Sequence, residues 1–155
     1  MAKEIERKFL VKGDGWQTKI QRSVKYRQGY LNDAQQCSIR IRIGGEKAFL
    51  NIKSATLGIQ RHEYEYPIPV QDANEMLDRF CRGALVEKTR HYVQDQGYTW
   101  EVDVFEGDNA GLVVAEIELD DEGQQFPLPA WAGKEVSDDP RYYNVCLVKH
   151  PFKNW

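Results

Sequence analysis

Cysteine is scarce in this chain, and its spacing excludes two kinds of small protein. The three cysteines, Cys37, Cys81 and Cys146, form neither an even set for a disulfide framework nor a pattern of zinc ligands. Free cysteines are typical of proteins from reducing compartments. We therefore expect a cytoplasmic location.

Long hydrophobic runs and a surplus of positive charge are also missing. No apolar run is long enough to cross a bilayer, and residues 1–11 carry charges where a signal peptide would be apolar. With 21 Lys and Arg against 24 Asp and Glu, the net charge of −3 argues against a general nucleic-acid-binding protein. We expect one soluble domain, residues 1–155, with neither a membrane nor a nucleic acid as partner; the oligomeric state stays open.

The sequence does contain strand-like segments in which every second residue is charged, usually with one sign. Side chains two residues apart in a strand share a face and lie roughly 7 Å apart, so these pairs set like charges side by side, which destabilises a sheet. We infer that metal cations neutralise the acidic pairs and a polyanion the basic ones. The pairs are Glu4 with Glu6, Arg40 with Arg42, Glu63 with Glu65, Lys88 with Arg90, Glu101 with Asp103, and Glu116 with Glu118.

Alternation with a period of two predicts about eight strands, enough to close a barrel. The predicted strands are Lys3–Val11, Lys25–Leu31, Cys37–Ile43, Lys47–Lys53, Gln60–Ile68, Val86–Gln94, Tyr98–Phe105 and Leu112–Leu119. Short polar turns at Asn32–Gln36, Gly44-Gly45, Asp95–Gly97 and Gly107–Gly111 predict hairpins and therefore antiparallel pairing. The predicted fold class is α+β, mainly β.

One helix interrupts the strands. Apolar residues at helical spacing predict a helix from Asp72 to Arg82, with Asp72 as N-cap and Gly83 as the C-terminal stop. We expect its apolar stripe to pack against the outside of the barrel rather than to bind a partner. Shorter helical turns are expected near Trp16–Val24 and after Pro140.

Hairpin geometry indicates which charges share a face. A two-residue turn at Gly44-Gly45 would put Arg40 and Arg42 on the same face as Asn51 and Lys53. The same rule applied to a turn at Gln96-Gly97 sets Arg90 opposite Asp103 and Tyr92 opposite Glu101.

The opposite face of these strands is apolar, and two arrangements fit it. A closed barrel would have a charged lumen, with the apolar side chains facing outward beneath helices and loops. An open sheet would instead turn its charged face to water. The apolar residues are Ile39, Ile41, Ile43, Leu50, Ile52, Val102, Ile117 and Leu119.

The charged face carries the candidate chemistry. Clustered carboxylates suit Mg²⁺ or Mn²⁺, and clustered Arg and Lys suit phosphate oxygens, so a cavity with both would hold a metal-bound polyphosphate. Phosphoryl transfer needs those parts. No Ser-His-Asp or Cys-His arrangement competes, because His62 and His91 are out of phase with the charged face and His150 lies in the tail.

These residues resemble the CYTH superfamily, also called triphosphate tunnel metalloenzymes. The opening Glu4-Ile5-Glu6-Arg7-Lys8 is similar to the Glu-x-Glu-x-Lys signature of that superfamily. The similarity continues in order through Arg40-Ile41-Arg42, Ile52-Lys53-Ser54, Glu63-Tyr64-Glu65, Glu87-Lys88-Thr89-Arg90, Glu116-Ile117-Glu118 and Gly133-Lys134-Glu135-Val136.

The resemblance implies an eight-stranded antiparallel tunnel and a role for each matching residue. Metal-binding acids would be Glu4, Glu6, Glu116 and Glu118, with Asp103 as an addition. Triphosphate-binding bases would be Lys8, Arg40, Arg42, Lys53, Lys88, Arg90 and Lys134. Glu63, Glu65 and Glu101 would line the tunnel without an assigned role. Glu63 and Glu65 would either hold metal or support the cations, and Arg61, which lies on the same face of that strand, favours support of the cations.

Short bacterial members that resemble this chain hydrolyse inorganic tripolyphosphate with Mg²⁺ or Mn²⁺. The resemblance makes Tyr30 a candidate proton acceptor. If the loop Asn32–Gln36 is five residues long, Tyr30 shares a face with Arg40 and Arg42, although it could equally pack at the barrel rim. The alternatives are a class IV adenylate cyclase, a thiamine or nucleoside triphosphatase, and a polyphosphate-binding module without catalysis.

Overall fold

A computed structural model describes residues 3–32, 36–55, 58–81 and 85–155. It contains the eight predicted strands and one more. The strands are β1 (Lys3–Val11), β2 (Ile20–Tyr30), β3 (Cys37–Gly44), β4 (Lys47–Ser54), β5 (Gln60–Ile68), β6 (Val86–Asp95), β7 (Tyr98–Phe105), β8 (Val113–Glu118) and β9 (Ala132–Glu135). The helices are α1 (Val70–Phe80) and α2 (Asn144–Lys149), with 3-10 turns at Gln17–Lys19, Gly107–Asn109, Pro140–Tyr142 and Phe152–Asn154.

The strands form a closed antiparallel barrel. Their order is β5-β4-β3-β2-β6-β7-β8-β1-β9, and β5 also pairs with β1, which closes β1 to β8 on themselves. The alternative of an open sheet with a water-facing charged side is therefore wrong. The unpredicted β9 adds to β1 beyond the point where β1 leaves β5.

The hairpin registers confirm one prediction and correct another. Arg90 pairs with Asp103 and Tyr92 with Glu101, as the turn at Gln96-Gly97 requires. The turn between β3 and β4 falls at residues 45–46 instead of Gly44-Gly45, because Gly44 still pairs with Lys47. The register of β3 against β4 therefore differs by two residues from the predicted one. Because side chains alternate with a period of two, this difference leaves each residue on its predicted face, and the arginines of β3 still share a side with the odd-numbered residues of β4.

Strand β2 differs most from its prediction. It begins at Ile20 instead of Lys25, because its first residues pair with β6, and only Gln17–Lys19 is helical in the segment expected to be a helical turn. Tyr30 pairs with Arg40, which confirms that the two share a face. Part of the loop Asn32–Gln36 lies outside the described residues.

Helix α1 covers the outer face of β3 and β4. Ala73 and Leu77 of the helix pack with Ile41 and Ala48 of the strands, all of them buried. The helix begins at Val70 with Pro69 as N-cap, so the prediction of Asp72 as N-cap was wrong. Asp72 lies in the first turn, where its negative charge interacts favourably with the positive end of the helix dipole. The predicted end at Arg82 and Gly83 lies outside the described residues.

A second apolar layer lies outside β6, β7 and β8. Trp100, Val102 and Ile117 are essentially inaccessible to solvent beneath Trp16 and Trp131, which come from connecting segments. The apolar face therefore points outward under loops and helices, as expected for a barrel with a charged lumen. No helix among the described residues is long and apolar enough to cross a membrane.

Gly29 offers a test of how α1 joins the barrel. A Cβ atom at Gly29 would lie 2.8 Å from Cβ of Cys81 and 2.8 Å from Cδ2 of Leu85, which follow α1. We expect Gly29→Ala to lower the free energy of unfolding by about 1–3 kcal/mol through overpacking. Urea denaturation of the variant and the wild type would measure this change in the free energy of unfolding.

The matched control is Gly15→Ala, because a Cβ there would meet nothing nearer than Cδ1 of Trp131 at 3.9 Å. We expect that exposed change to stay within about 0.5 kcal/mol. Equal losses for the two variants would contradict the close approach of the α1 connection to β2.

Candidate functional site

The barrel encloses a cavity of about 460 Å³ with a mainly polar lining. The like-sign pairs of the sequence lie inside it, because alternate residues of each strand face the lumen. The lining comprises the acids Glu4, Glu6, Glu63, Glu65, Glu101, Glu116 and Glu118, the bases Lys3, Lys8, Arg40, Arg42, Lys53, Arg61, Lys88 and Arg90, and Tyr30, Ser38, Asn51, Tyr143, Asn144 and Val145.

Carboxylates of β1 and β8 form an acidic cluster. Glu6 pairs with Glu118 across the two strands, and Lys8 pairs with Glu116. Burial, followed by the charges of Glu116 and Glu4, raises the pKa of Glu6 to about 8. Burial together with Glu4 and Glu101 also raises the pKa of Glu118. Burial and mutual repulsion therefore make these carboxyl groups harder to ionise than exposed ones.

Glu116 behaves differently from its neighbours. Burial alone would raise its pKa, but the charges of Lys8 and Arg90 hold that pKa well below its usual range. Lys8 Nζ lies 3.4 Å from Glu116 Oε1, and a hydrogen bond with the Glu6 carboxyl group also favours the Glu116 carboxylate. Glu6, with its raised pKa, therefore holds the proton in the hydrogen bond between the two carboxyl groups.

Most of the bases are already paired with carboxylates. Lys53 Nζ lies 2.9 Å from Glu4 Oε1, and Lys88 Nζ lies 2.7 Å from Asp103 Oδ2. Arg90 donates from Nε to Asp103 Oδ1 at 2.8 Å and from Nη2 to Asp103 Oδ2 at 2.9 Å. These pairs hold their cations in place around the lumen.

Arg40 and Arg42 differ from these paired bases and are neighbours on the same face of β3. Within the described ranges, neither has a carboxylate at ion-pair distance, and the buried Nε of Arg40 has no hydrogen-bond partner. Arg42 Nε donates to Gln28 Oε1 at 3.0 Å. Burial, with the charges of Arg40 and Arg90, lowers the pKa of Arg42 to about 10. Two adjacent guanidinium groups without a counter-ion form a site for an anion with several oxygens.

Two residues proposed for the site lie elsewhere. Asp103 is fully buried behind the lining, where it pairs with Lys88 and Arg90, so its position suits a support for cations better than a metal ligand. Lys134 is exposed on β9 and borders a separate surface depression with Arg7 and Asp138. The alternation of side chains along a strand predicts which face a residue is on. It predicts neither how deeply that residue is buried in the barrel wall nor where a short additional strand such as β9 pairs.

Glu63 and Glu65 are held by an amide at the cavity wall. Asn51 Nδ2 donates to Glu63 Oε1 at 3.0 Å and to Glu65 Oε2 at 2.7 Å, and Glu63 Oε2 lies 4.0 Å from Lys53 Nζ. The guanidinium of Arg61 lies 4.4 Å from the ring centre of Tyr143. Glu63 therefore lies beside a cation, whereas Glu65 is in contact with the Asn51 amide.

Tyr30 belongs to a hydrogen-bonded group of polar side chains. It is 8% exposed, and Gln28 Nε2 donates to its hydroxyl at 3.4 Å. Gln28 Nε2 also donates to Asn144 Oδ1 at 3.1 Å, and Lys88 Nζ donates to the same oxygen at 2.9 Å. Sequence reasoning missed Gln28, although it has the parity of Tyr30. It also missed Asn144, whose docking from the C-terminal segment has no strand pattern to reveal it.

The donor set suits a divalent metal of the Mg²⁺ or Mn²⁺ type. All the acids supply oxygen, and the Oε1 atom of Glu4 is buried without a hydrogen-bond partner among the described residues, although Lys53 Nζ lies nearby. No group of three or more His, Cys, Asp or Glu side chains in the described part of the chain is already arranged around a common point. The fit therefore rests on charge and donor chemistry.

The fold and the site together define a tunnel protein whose lumen holds two arginines without a carboxylate partner among the described residues, beside a carboxylate cluster. The CYTH domain family matches residues 2–143, and this chain belongs to that family. The resemblance found in the sequence is thereby confirmed.

The inorganic triphosphatase of Acetivibrio thermocellus is 50% identical over 155 residues, which cover 100% of this chain and 99% of that protein. The inorganic triphosphatase of Nitrosomonas europaea is 40% identical over 151 residues, covering 94% of this chain and 96% of that protein. A crystal structure of the inorganic triphosphatase NE1496 is 38% identical and superposes with a TM-score of 0.67, covering 96% of this chain and 95% of that one.

The raised pKa of Glu6 predicts how stability depends on pH without metal. Between pH 4.5 and about 8 the folded state keeps a proton that the unfolded state releases, so this group makes unfolding easier as pH rises. Gln at this position cannot titrate. We expect the stability advantage of Glu6→Gln over the wild type to grow by about 1–3 kcal/mol across that range, since the cavity admits water.

Urea unfolding with a chelator at several pH values from 5 to 8 would measure the difference. Glu75→Gln, which removes an exposed carboxylate from the surface of α1, is the control. A Glu6→Gln advantage that stays constant with pH would refute the shared proton in the acidic cluster.

Proposed function

We propose that this protein is a divalent-metal-dependent inorganic triphosphatase, which hydrolyses tripolyphosphate to pyrophosphate and phosphate. The observation that carries the proposal is the unneutralised pair Arg40 and Arg42, which shares one cavity with a carboxylate cluster short of positive charge. Both relatives are named inorganic triphosphatase, and this chain aligns with each of them over nearly its full length, which supports the proposal.

The acids would hold the metal, Mg²⁺ or Mn²⁺, through Glu4, Glu6, Glu116 and Glu118. When bound, the metal would neutralise charge on the phosphate chain and lower the barrier to attack on it. Glu6 would give up the proton that it shares with Glu116 in the free protein. Glu101 and Glu63 lie on the same lining, and we assign them to holding cations.

The bases would bind the triphosphate. Arg40 and Arg42 present guanidinium groups that no carboxylate occupies, so they can donate to phosphate oxygens directly. Lys8, Lys53, Lys88 and Arg90 surround the lumen and would accept a share of the negative charge. Burial lowers the pKa of Lys88 to about 7 against the opposing charge of Asp103, and an anion beside its ammonium group would favour the charged form.

Tyr30, in its phenolate form, would accept the proton of the attacking water at the phenolate oxygen. Water would then attack a terminal phosphorus, the bond from that phosphorus to the bridging oxygen would break, and pyrophosphate would leave with the electron pair. Gln28 donates to the Tyr30 hydroxyl and so fixes its direction. Arg40 is the cross-strand neighbour of Tyr30, so the proposed acceptor lies beside the phosphate-binding arginines.

Other triphosphate reactions would use the same cavity but need more than it offers. A class IV adenylate cyclase or a thiamine or nucleoside triphosphatase requires a pocket for the organic group, and the proposal assigns no lining residue to one. A polyphosphate-binding module would keep the bases but could dispense with the acids, so the complete acidic cluster favours catalysis.

The proposal also covers the domain organisation, the location and the partners of the protein. We place residues 1–155 in one domain that works in the cytoplasm on a small molecule, without a nucleic acid or membrane partner. The free cysteines and the net charge of −3 support this.

The first test is a phosphate-release panel over tripolyphosphate, ATP, thiamine triphosphate and pyrophosphate. We expect hydrolysis of tripolyphosphate only with Mg²⁺ or Mn²⁺, because the carboxylates cannot by themselves neutralise charge on the phosphate chain during the reaction. ATP should be the poorer substrate. Full activity in excess chelator would exclude the metal mechanism, and a tenfold preference for ATP would favour the nucleotide reaction.

Tyr30→Phe tests the proton acceptor, because it removes the hydroxyl group and keeps the ring. We expect kcat to fall by roughly a hundredfold, within the usual range for the loss of a general base. Tyr98→Phe is the matched control, since the Tyr98 hydroxyl bonds the carbonyl of Gln125 outside the cavity. Near-normal turnover of Tyr30→Phe would assign Tyr30 to packing alone.

A further inference from the structure

We propose that Tyr26 is a positioning residue that holds the guanidinium of Arg42 in the direction needed to bind phosphate. The inference rests on the proposed function and adds to it a residue with no part in the predicted site. Tyr26 is not among the residues that line the cavity, but it lies on the same face of the sheet as Arg42, and its ring contacts the Arg42 guanidinium.

The geometry places one aromatic ring against two of the cations. The guanidinium carbon of Arg42 lies 4.5 Å from the ring centre of Tyr26, and that of Arg90 lies 5.5 Å away. In the sheet, Tyr26 pairs with Gly44 on one side and with Lys88 on the other. Both distances are within the range of a cation–π interaction.

The ring of Tyr26 is itself fixed from both sides. A Cβ atom at Gly44 would lie 2.2 Å from Cε1 of Tyr26, so the ring occupies space that only glycine leaves free. The hydroxyl of Tyr26 lies 3.3 Å from that of Tyr92, and the guanidinium carbon of Arg22 is 3.8 Å from the centre of the Tyr92 ring. The ring is therefore a rigid support for whatever lies against it.

Arg42 needs this support more than Arg90 does. Arg90 is held by Asp103 through two hydrogen bonds and also pairs with Glu101. Arg42 has no carboxylate at ion-pair distance within the described residues, and Arg40 and Arg90 repel it. Besides the ring of Tyr26, its recorded partner is Gln28 Oε1.

An aromatic partner differs from a carboxylate in what it leaves for the substrate. A carboxylate would neutralise the arginine and compete with phosphate for the same N–H groups. A ring attracts the cation through its face without neutralising it or taking its N–H donors. Arg42 can therefore be held in direction and still offer its full charge to the anion.

The test compares Tyr26→Leu, which removes the ring, with Tyr26→Phe, which removes only the hydroxyl. For Tyr26→Leu we expect KM for tripolyphosphate to rise about tenfold with a smaller change in kcat. For Tyr26→Phe we expect KM within about twofold of the wild type. Equal KM values for the two variants, or a fall in kcat alone, would overturn the proposal.

A double-mutant cycle shows whether the effect passes through Arg42. In an Arg42→Ala background, Tyr26→Leu should raise KM by less than about twofold, because the supported group is gone. A full tenfold rise in that background would mean that Tyr26 acts elsewhere. Gly44→Ala, which displaces the same ring from the opposite side, should raise KM as Tyr26→Leu does, and a normal KM would contradict the proposal.

Two further measurements distinguish a loss of the Tyr26 contact from a loss of folded structure and from a failure of the proposed activity. Thermal melts of all variants, with Tyr98→Leu as a control outside the cavity, show whether a change in KM reflects lost structure. Calorimetry with tripolyphosphate and chelator reads binding without turnover. Binding by the wild type without hydrolysis under any metal would refute the triphosphatase, whereas equal binding by Tyr26→Leu and Tyr26→Phe would refute the role of Tyr26 alone.

Discussion

Charge compensation inside a closed barrel is the constraint on which this structure depends. The inward side chains of β1 to β8 carry charges that cannot reach bulk water freely, so each must find a partner within the lumen. Lys53 with Glu4, Lys88 with Asp103, and Arg90 with Asp103 meet that requirement. What these pairs leave over is an excess of carboxylate at Glu6 and of guanidinium at Arg42. The uncompensated groups are the ones that can bind a metal and a polyanion.

A charged lumen moves the hydrophobic core to the outside of the barrel. The apolar face of β3 and β4 is buried by α1, and that of β7 and β8 by connecting segments that contribute tryptophans. Since the core does not fill the barrel, the cavity can stay open without loss of apolar burial. The strands provide a rigid frame for the cations, which favours binding because little ordering remains when an anion arrives.

Arg42 and Arg90 illustrate two ways of holding a cation in such a cavity. Arg90 is locked by a carboxylate that satisfies its N–H groups, and it contributes mainly a fixed positive charge. Arg42 lies against the ring of Tyr26 and the amide of Gln28, and it has no counter-ion among the described residues. A buried cation without a counter-ion lowers the stability of the free protein. Such local losses of stability are expected at binding sites, where the residues serve function rather than folding.

The sequence by itself determined which strand residues share the charged face, because side chains in strands alternate with a period of two and a short turn fixes the register of the next strand. Tyr30 and Arg40 were placed on one face in this way, and the family resemblance followed from the same charged positions. Only the tertiary structure decided that Asp103 lies behind the lining, that Lys134 lies outside the cavity, and that Asn144 reaches Gln28 and Lys88. Parity is a local property of a strand, whereas depth in the wall and the docking of a distant segment depend on how the whole chain packs.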